Sequence, residues 1–148
     1  MLVAGGGDLM DKCHEEARDL GNAVRFLGYV DDVDSLFADA DVFVCPSTAE
    51  SFGRTATEAA LAKTPMVLGR IRPWTDDFVE GYDCEFVDPQ DPKDIARGIL
   101  KLLADPLKAQ QQAESACQVA LSRFGREAAL AALTKAYKYV AVSLASRF

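Results

Sequence analysis

Short, uninterrupted apolar runs separated by longer amphipathic segments constrain this chain more than any other feature. The runs are LVAGG (2–6), VRFLGYV (24–30), DVFVC (41–45), MVLG (66–69) and CEFV (84–87). Strands that are apolar on both faces are covered on both faces, and helices between them make the connections parallel. The expected fold is therefore an α/β domain built on a doubly wound parallel sheet, with CEFV as an edge strand. Asp8 to Leu20 reads as the first helix, with Asp8 as its cap and Gly21 just past its end. A short helix follows around Val33–Ala38, and Gly53–Lys63 forms the next. A turn-like stretch containing Pro73 and Trp74 leads into CEFV. From Asp91 the pattern is wholly helical to about 147, and its last helix runs from Arg126 to about Ser146. Asp91 and Asp105 each precede proline, which suits a cap followed by a preset first helical position. Residues 1–148 are expected to form one domain.

The balance of charge excludes some functions. A net charge of -7 gives no basic surface to displace the counterions of a nucleic acid, so none is expected as a partner. No apolar run approaches the ~18 residues of a membrane span, and the N-terminus lacks the basic and apolar regions of a signal peptide. Cys13, Cys45, Cys84 and Cys117 are scattered, with no C-x-x-C pair. They read as free thiols of a reducing cytosol, so a cytoplasmic location is expected, with a full enzyme free to sit peripherally on a membrane.

In open α/β sheets, ligands bind in the crevice beyond the strand C-termini. The stretch CPSTAESFGRTATEAALAKTP (45–65) leaves such a strand end and starts a helix near Gly53. The first N–H groups of a helix have no partner within it, and its dipole is positive there, so a phosphate can be held without net positive charge. Gly53 allows close approach to the backbone. Ser47, Ser51, Arg54 and Thr55 can add hydroxyl and charge-assisted contacts. Glu50 precedes the helix, and Glu58 lies ~7 Å of helix rise beyond Gly53. Two carboxylates flanking an anion site suit a ligand with hydroxyls at both ends and phosphates between them. The spacing alone fits equally well a solvated helix glutamate at 58 and a loop carboxylate or cap at 50.

The stretch PSTAESFGRTATEAALAKTP resembles the donor-site segment of family 4 glycosyltransferases, which reads P-S-x-x-E-x-F-G-x-x-x-x-E-A with the same seven residues between its glutamates. LVAGGGDLM, VRFLGYVDDVDSLFADADVFVCPS and FVEGYDCEFVDPQDPKDIARGILKLLADP are similar to further segments of that family, in order, across most of residues 1–124. The resemblance implies the Rossmann-like, C-terminal half of a two-domain GT-B fold. It implies transfer of a sugar from a nucleotide diphosphate sugar, with retention and without a metal cofactor. Glu50 would contact the donor sugar near the reacting centre, and Glu58 the ribose hydroxyls. Backbone amides around Phe52, Gly53, Arg54 and Thr55 would hold the diphosphate. Tyr29 and Val30 would lie near the base, and Gly6 and Gly7 belong to the glycine turn after the first visible strand.

The chain departs from the family pattern in places. Lys63 stands where a glycine is usual before T-P, Arg70-Ile71-Arg72-Pro73-Trp74 replaces a small glycine-rich loop with Asp76 as its acidic residue, and Cys84 replaces a later glycine. Arg70 and Arg72 read as phosphate contacts or, more simply, as surface charges. Against the family, the sequence reads as lacking the N-terminal acceptor domain and the first strand–helix unit of the donor domain, whose loop supplies phosphate-gripping cations. By itself it is therefore expected to be catalytically incompetent, with an acceptor domain or partner subunit as its missing half. In a sheet of order 3-2-1-4-5-6 the missing strand is the central one. LVAGG and DVFVC are then expected to pair directly, or to be completed by self-association. The rival reading is a non-catalytic nucleotide-sugar-binding or degenerate module, a subunit or a relic.

Asp32-Val33-Asp34 and Asp39-Ala40-Asp41 spell D-x-D, yet they flank a short helix where aspartate serves as cap and turn residue, so no metal is expected. His14 reads as a solvated or ion-paired helix residue. The final helix has apolar surface for core packing, for docking the absent domain or for self-association, with core packing expected.

Overall fold

The computed structural model describes residues 1–145, with side chains as far as 140, so the end of the expected final helix lies outside the described residues. The chain divides into two compact units, Met1–Ser35 and Leu36 onward.

In the first unit, β1 (Leu2–Ala4) pairs in parallel with β2 (Arg25–Gly28), placing Val3 opposite Phe26. The helix between them differs from the expected single stretch. α1 covers only Met10–Glu16, and a 3-10 segment runs from Arg18 to Ala23. The physical reason lies at both ends. Leu9, not Asp8, is the cap and makes no side-chain bond there, while Gly21 sits inside the 3-10 segment with φ 50°, interrupting it. His14 lays its ring on Phe26, centroids 4.0 Å apart. Asp32 behaves as the cap it resembles: its carboxylate accepts from the Ser35 amide at 3.1 Å and the Ser35 hydroxyl at 2.6 Å. These bonds, the hydroxyl first, hold its carboxyl below the usual range.

α2 (Val33–Asp39) leads into the second unit, whose sheet has the order β3 (Phe43–Cys45), β4 (Met66–Gly69), β5 (Glu85–Val87), all parallel. β5 is the edge strand the sequence predicts. α3 (Arg54–Leu61), the single turn α4 (Trp74–Asp77), α5 (Pro92–Ala104), α6 (Pro106–Phe124) and α7 (Arg126–Ala145) complete the chain. Asp91 and Asp105 cap α5 and α6 by accepting from the Lys93 and Lys108 amides at 2.9 and 3.1 Å. The core joins Val67, Val87, Leu102 and Ala109, with Val42, Val44, Ile95 and Ile99 packed against it. α5 lies close on the sheet because Gly98 has no side chain: a Cβ there would stand 2.8 Å from Val87 Cγ1. α3 and α6 meet through alanines, with Ala56, Ala59 and Ala60 on one and Ala113, Ala116 and Ala120 on the other buried.

Direct pairing of the first and third strands does not occur. β1 is bonded to β2 and β3 to β4, so the strands form two sheets. Among the described side chains, core packing of the last helix is also not found. α7 contacts α6, but Leu130, Leu133, Tyr137, Tyr139 and Val140 are all at least half exposed. The exposed apolar residues as far as Val140 are spread around the helix rather than gathered in one stripe. All four cysteines are free, Cys84 and Cys117 buried. Burial foremost, then the nearby Asp83, Glu85 and Glu80 carboxylates, pushes the Cys84 thiol far up. No helix among the described residues is long and apolar enough to cross a membrane.

Candidate functional site

Parallel strands deliver their C-termini to one side of the sheet, and the segment after β3 is fixed there by a glycine. A Cβ on Gly69, at the end of β4, would lie 2.4 Å from the Ser47 carbonyl oxygen and 3.4 Å from Pro89 Cβ. Glycine thus lets the exits of three neighbouring strands close on one another. Ser47 then donates its hydroxyl to Glu50 Oε1 at 3.1 Å and lies 3.4 Å from Cys45 Sγ. Glu50 is half-buried and held at the strand exit by that bond.

Gly53 caps α3 in the left-handed region, φ 76° and ψ 47°, with no side-chain cap bond. Its carbonyl accepts from the Ala56 and Thr57 amides at 3.1 and 3.3 Å. The amides of Gly53, Arg54 and Thr55 have no protein acceptor among the described residues. Free amides at the positive end of a helix dipole form an anion site. Phe52 packs edge-on against Phe124 at the end of α6, ring centroids 5.2 Å apart, which anchors the turn. Arg54 is not a free cation, because its guanidinium lies 3.2 Å from Glu58 Oε1 one turn along α3.

The arginines of the following loop are engaged too. Arg70 grips both carboxylate oxygens of Glu80 at 2.9 and 2.8 Å, and Arg72 meets Asp76 at 2.6 Å. Both pairs are exposed, which fits the surface-charge reading. Trp74 was expected only as part of a turn, yet it is buried against the cap of α3 with its indole N–H unpartnered. The signal that could have found it is its position: the sole tryptophan, in the loop after a strand end.

Ser47, Glu50, Phe52, Gly53, Arg54, Thr55 and Glu58 thus belong to one unit, around one strand exit and one helix start. Gly6 and Gly7 follow β1 in the other unit, and Tyr29 and Val30 follow β2; Tyr29 is 87% exposed. Concavities of about 560 and 350 Å³ lie elsewhere, near Tyr82 and Gln112 and near Asp41 and Pro65. Among the described residues, no three histidine, cysteine or carboxylate side chains are grouped to hold a metal ion.

Comparison with known proteins follows the same segments. The family described as Glycosyl transferases group 1 matches residues 1–119. Glycogen synthase of Mycobacterium tuberculosis is 32% identical over 141 residues, covering 93% of this chain and 34% of that protein. D-inositol 3-phosphate glycosyltransferase of Corynebacterium urealyticum is 37% identical over 147 residues, with the same shares of 93% and 34%. The chain thus spans about a third of the length of these curated relatives. Among solved structures, HepE of Anabaena in complex with UDP superposes with a TM-score of 0.79 at 26% identity, covering 98% of this chain and 40% of that one. Sucrose-phosphate synthase of Thermosynechococcus elongatus gives 0.83 at 25% identity, covering 96% and 38%.

Proposed function

The chain belongs to the group 1 glycosyltransferases, and from that premise we propose that it is the donor-binding domain of a retaining, metal-independent enzyme. In a complete enzyme it would hold a nucleotide diphosphate sugar for transfer to an acceptor. The observation that carries this reading is the start of α3, where amides of Gly53, Arg54 and Thr55 lack protein acceptors between two carboxylates, Glu50 and Glu58. A diphosphate on the amides would set sugar hydroxyls toward Glu50 and ribose hydroxyls toward Glu58. Solved relatives of this fold bind such ligands: HepE has been crystallised with UDP and with UDP-glucose.

The 148-residue chain is proposed to bind donor without turning it over, since a glycosyl transfer also needs groups that bind and activate an acceptor. An acceptor domain or partner subunit would supply them. Calorimetric titration with UDP-, GDP- and ADP-sugars tests the reading. Binding that is lost in Glu58→Ala supports it, and no binding of any of the three at millimolar concentration refutes it for this chain. Turnover by the isolated chain would refute the claim of incompetence.

A further inference from the structure

We propose that Trp74 is a ligand-facing donor of this site, its indole N–H hydrogen-bonding the anionic group held by the amides of Gly53, Arg54 and Thr55. The inference rests on the donor-binding reading above. Two independent observations meet at Gly53. The first is the start of α3, an eight-residue helix whose cap offers no side-chain acceptor to those amides. The second is Trp74, 1% exposed, whose Nε1 has no hydrogen-bond partner among the described residues. A Cβ on Gly53 would lie 2.0 Å from Trp74 Nε1 and 2.9 Å from its Cδ1 and Cε2. The ring therefore turns its N–H edge toward the helix cap.

An indole nitrogen can only donate, and so can a backbone amide. Amides and an indole N–H thus converge on one cap, and the described residues supply them no acceptor. A buried donor left unpaired is costly, so the arrangement persists most readily if an acceptor arrives with a ligand. A phosphate group has several acceptor oxygens and can serve amides and indole together. Gly53 is the residue that permits this, since any side chain at 53 would displace the ring and also strain a backbone at φ 76°.

The chain has a single tryptophan, so its indole N–H gives one unambiguous proton–nitrogen resonance. The ¹⁵N-labelled 148-residue chain is titrated with UDP-glucose and, separately, with inorganic pyrophosphate. The expected result is that the indole resonance moves downfield on the same saturation curve as the Arg54 and Thr55 amides. Trp74→Phe keeps a ring against Gly53 but removes the donor, and should weaken UDP-glucose binding roughly tenfold, about one hydrogen bond to a charged group. Its melting temperature should not fall in proportion. If the amides respond and the indole does not, or if Trp74→Phe binds as tightly as the native chain, the proposal is overturned while the donor site stands. If neither responds to either probe, the donor reading fails and this inference falls with it. Should Trp74→Phe not fold, the indole resonance of the unmodified chain decides alone.

Discussion

Arg54 and Glu58 face each other across one turn of α3, guanidinium to carboxylate, 3.2 Å apart. Both are candidate ligand groups, and the pair keeps both charges at the site. Their side chains are 81% and 35% exposed, and an exposed i,i+4 pair contributes only about 0–1 kcal/mol. Arg54→Ala should therefore change folding stability by less than about 1 kcal/mol. Glu58→Ala should weaken a nucleotide sugar about tenfold or more, since hydrogen bonds to a charged group contribute about 1.5–3 kcal/mol. Titration of both variants with one UDP-sugar checks the division of roles. Equal losses would mean that Arg54 contacts the ligand as directly as Glu58 does.

Lys63 ends α3 where the family resemblance leads one to expect glycine, and the backbone gives the reason. Its φ is 58°, in the left-handed region. The Lys63 amide donates to Ala60 and the Thr64 amide to Ala59, both at 3.0 Å, which is the Schellman closure of a helix end. A left-handed residue with a Cβ costs roughly 1–2 kcal/mol, partly offset by the unfolded-state entropy of glycine. Lys63→Gly should thus raise stability by about 0.5–1 kcal/mol in denaturant unfolding. A lower midpoint would show that the lysine side chain contributes more than its backbone strain costs.

How much of this was legible beforehand follows from the range of each interaction. The strand and helix order, the Asp91 and Asp105 caps and the Asp32 turn depend on neighbours within four residues, and sequence carries them. The Ser47–Glu50 contact also lies within that range, although only its residues were singled out. The packing of Trp74 on Gly53 joins positions 21 residues apart by number, and nothing local announces it. Glu85 was hidden for a similar reason. Within CEFV it read as one residue of an edge strand, yet it is fully buried and its partners are Lys101 and Gln112. The last helix misled in the opposite way, since abundant apolar residues do not reveal whether any element is available to cover them.

Acid should reveal one of the local pairs. Asp94 accepts from the Arg97 guanidinium and from the Asp88 amide, the latter at 2.7 Å. The Arg97 bond foremost, then the amide, holds its carboxyl below the usual value of 3.8. A carboxyl depressed on folding adds stability above its unfolded pKa, and that stability is lost as pH falls through the lower, folded value. The melting temperature of Asp94→Asn should therefore lie below that of the native chain at pH 7, by an amount constant down to about pH 5. The gap should close below that. A gap that widened with acid would overturn this assignment.

Glu85 provides the most demanding test of what holds the edge strand. Its carboxylate is fully buried, with Oε2 2.7 Å from Lys101 Nζ and Oε1 3.1 Å from Gln112 Nε2. The Gln112 amide must turn its nitrogen to the carboxylate, which leaves its own buried oxygen without a partner. The Lys101 side chain is 45% exposed, so water shares in its solvation and the pair is not a fully desolvated one. Removing one partner of a fully buried pair costs about 3–5 kcal/mol, because the other charge stays buried alone. With Lys101 half in water, Lys101→Met should cost less, roughly 1–3 kcal/mol. Replacing both ends, Glu85→Met with Lys101→Met, removes the stranded charge and should recover most of that loss in denaturant unfolding. If the double variant is less stable than Lys101→Met alone, the carboxylate is held chiefly by Gln112 and the surrounding strand, and the ion pair is incidental.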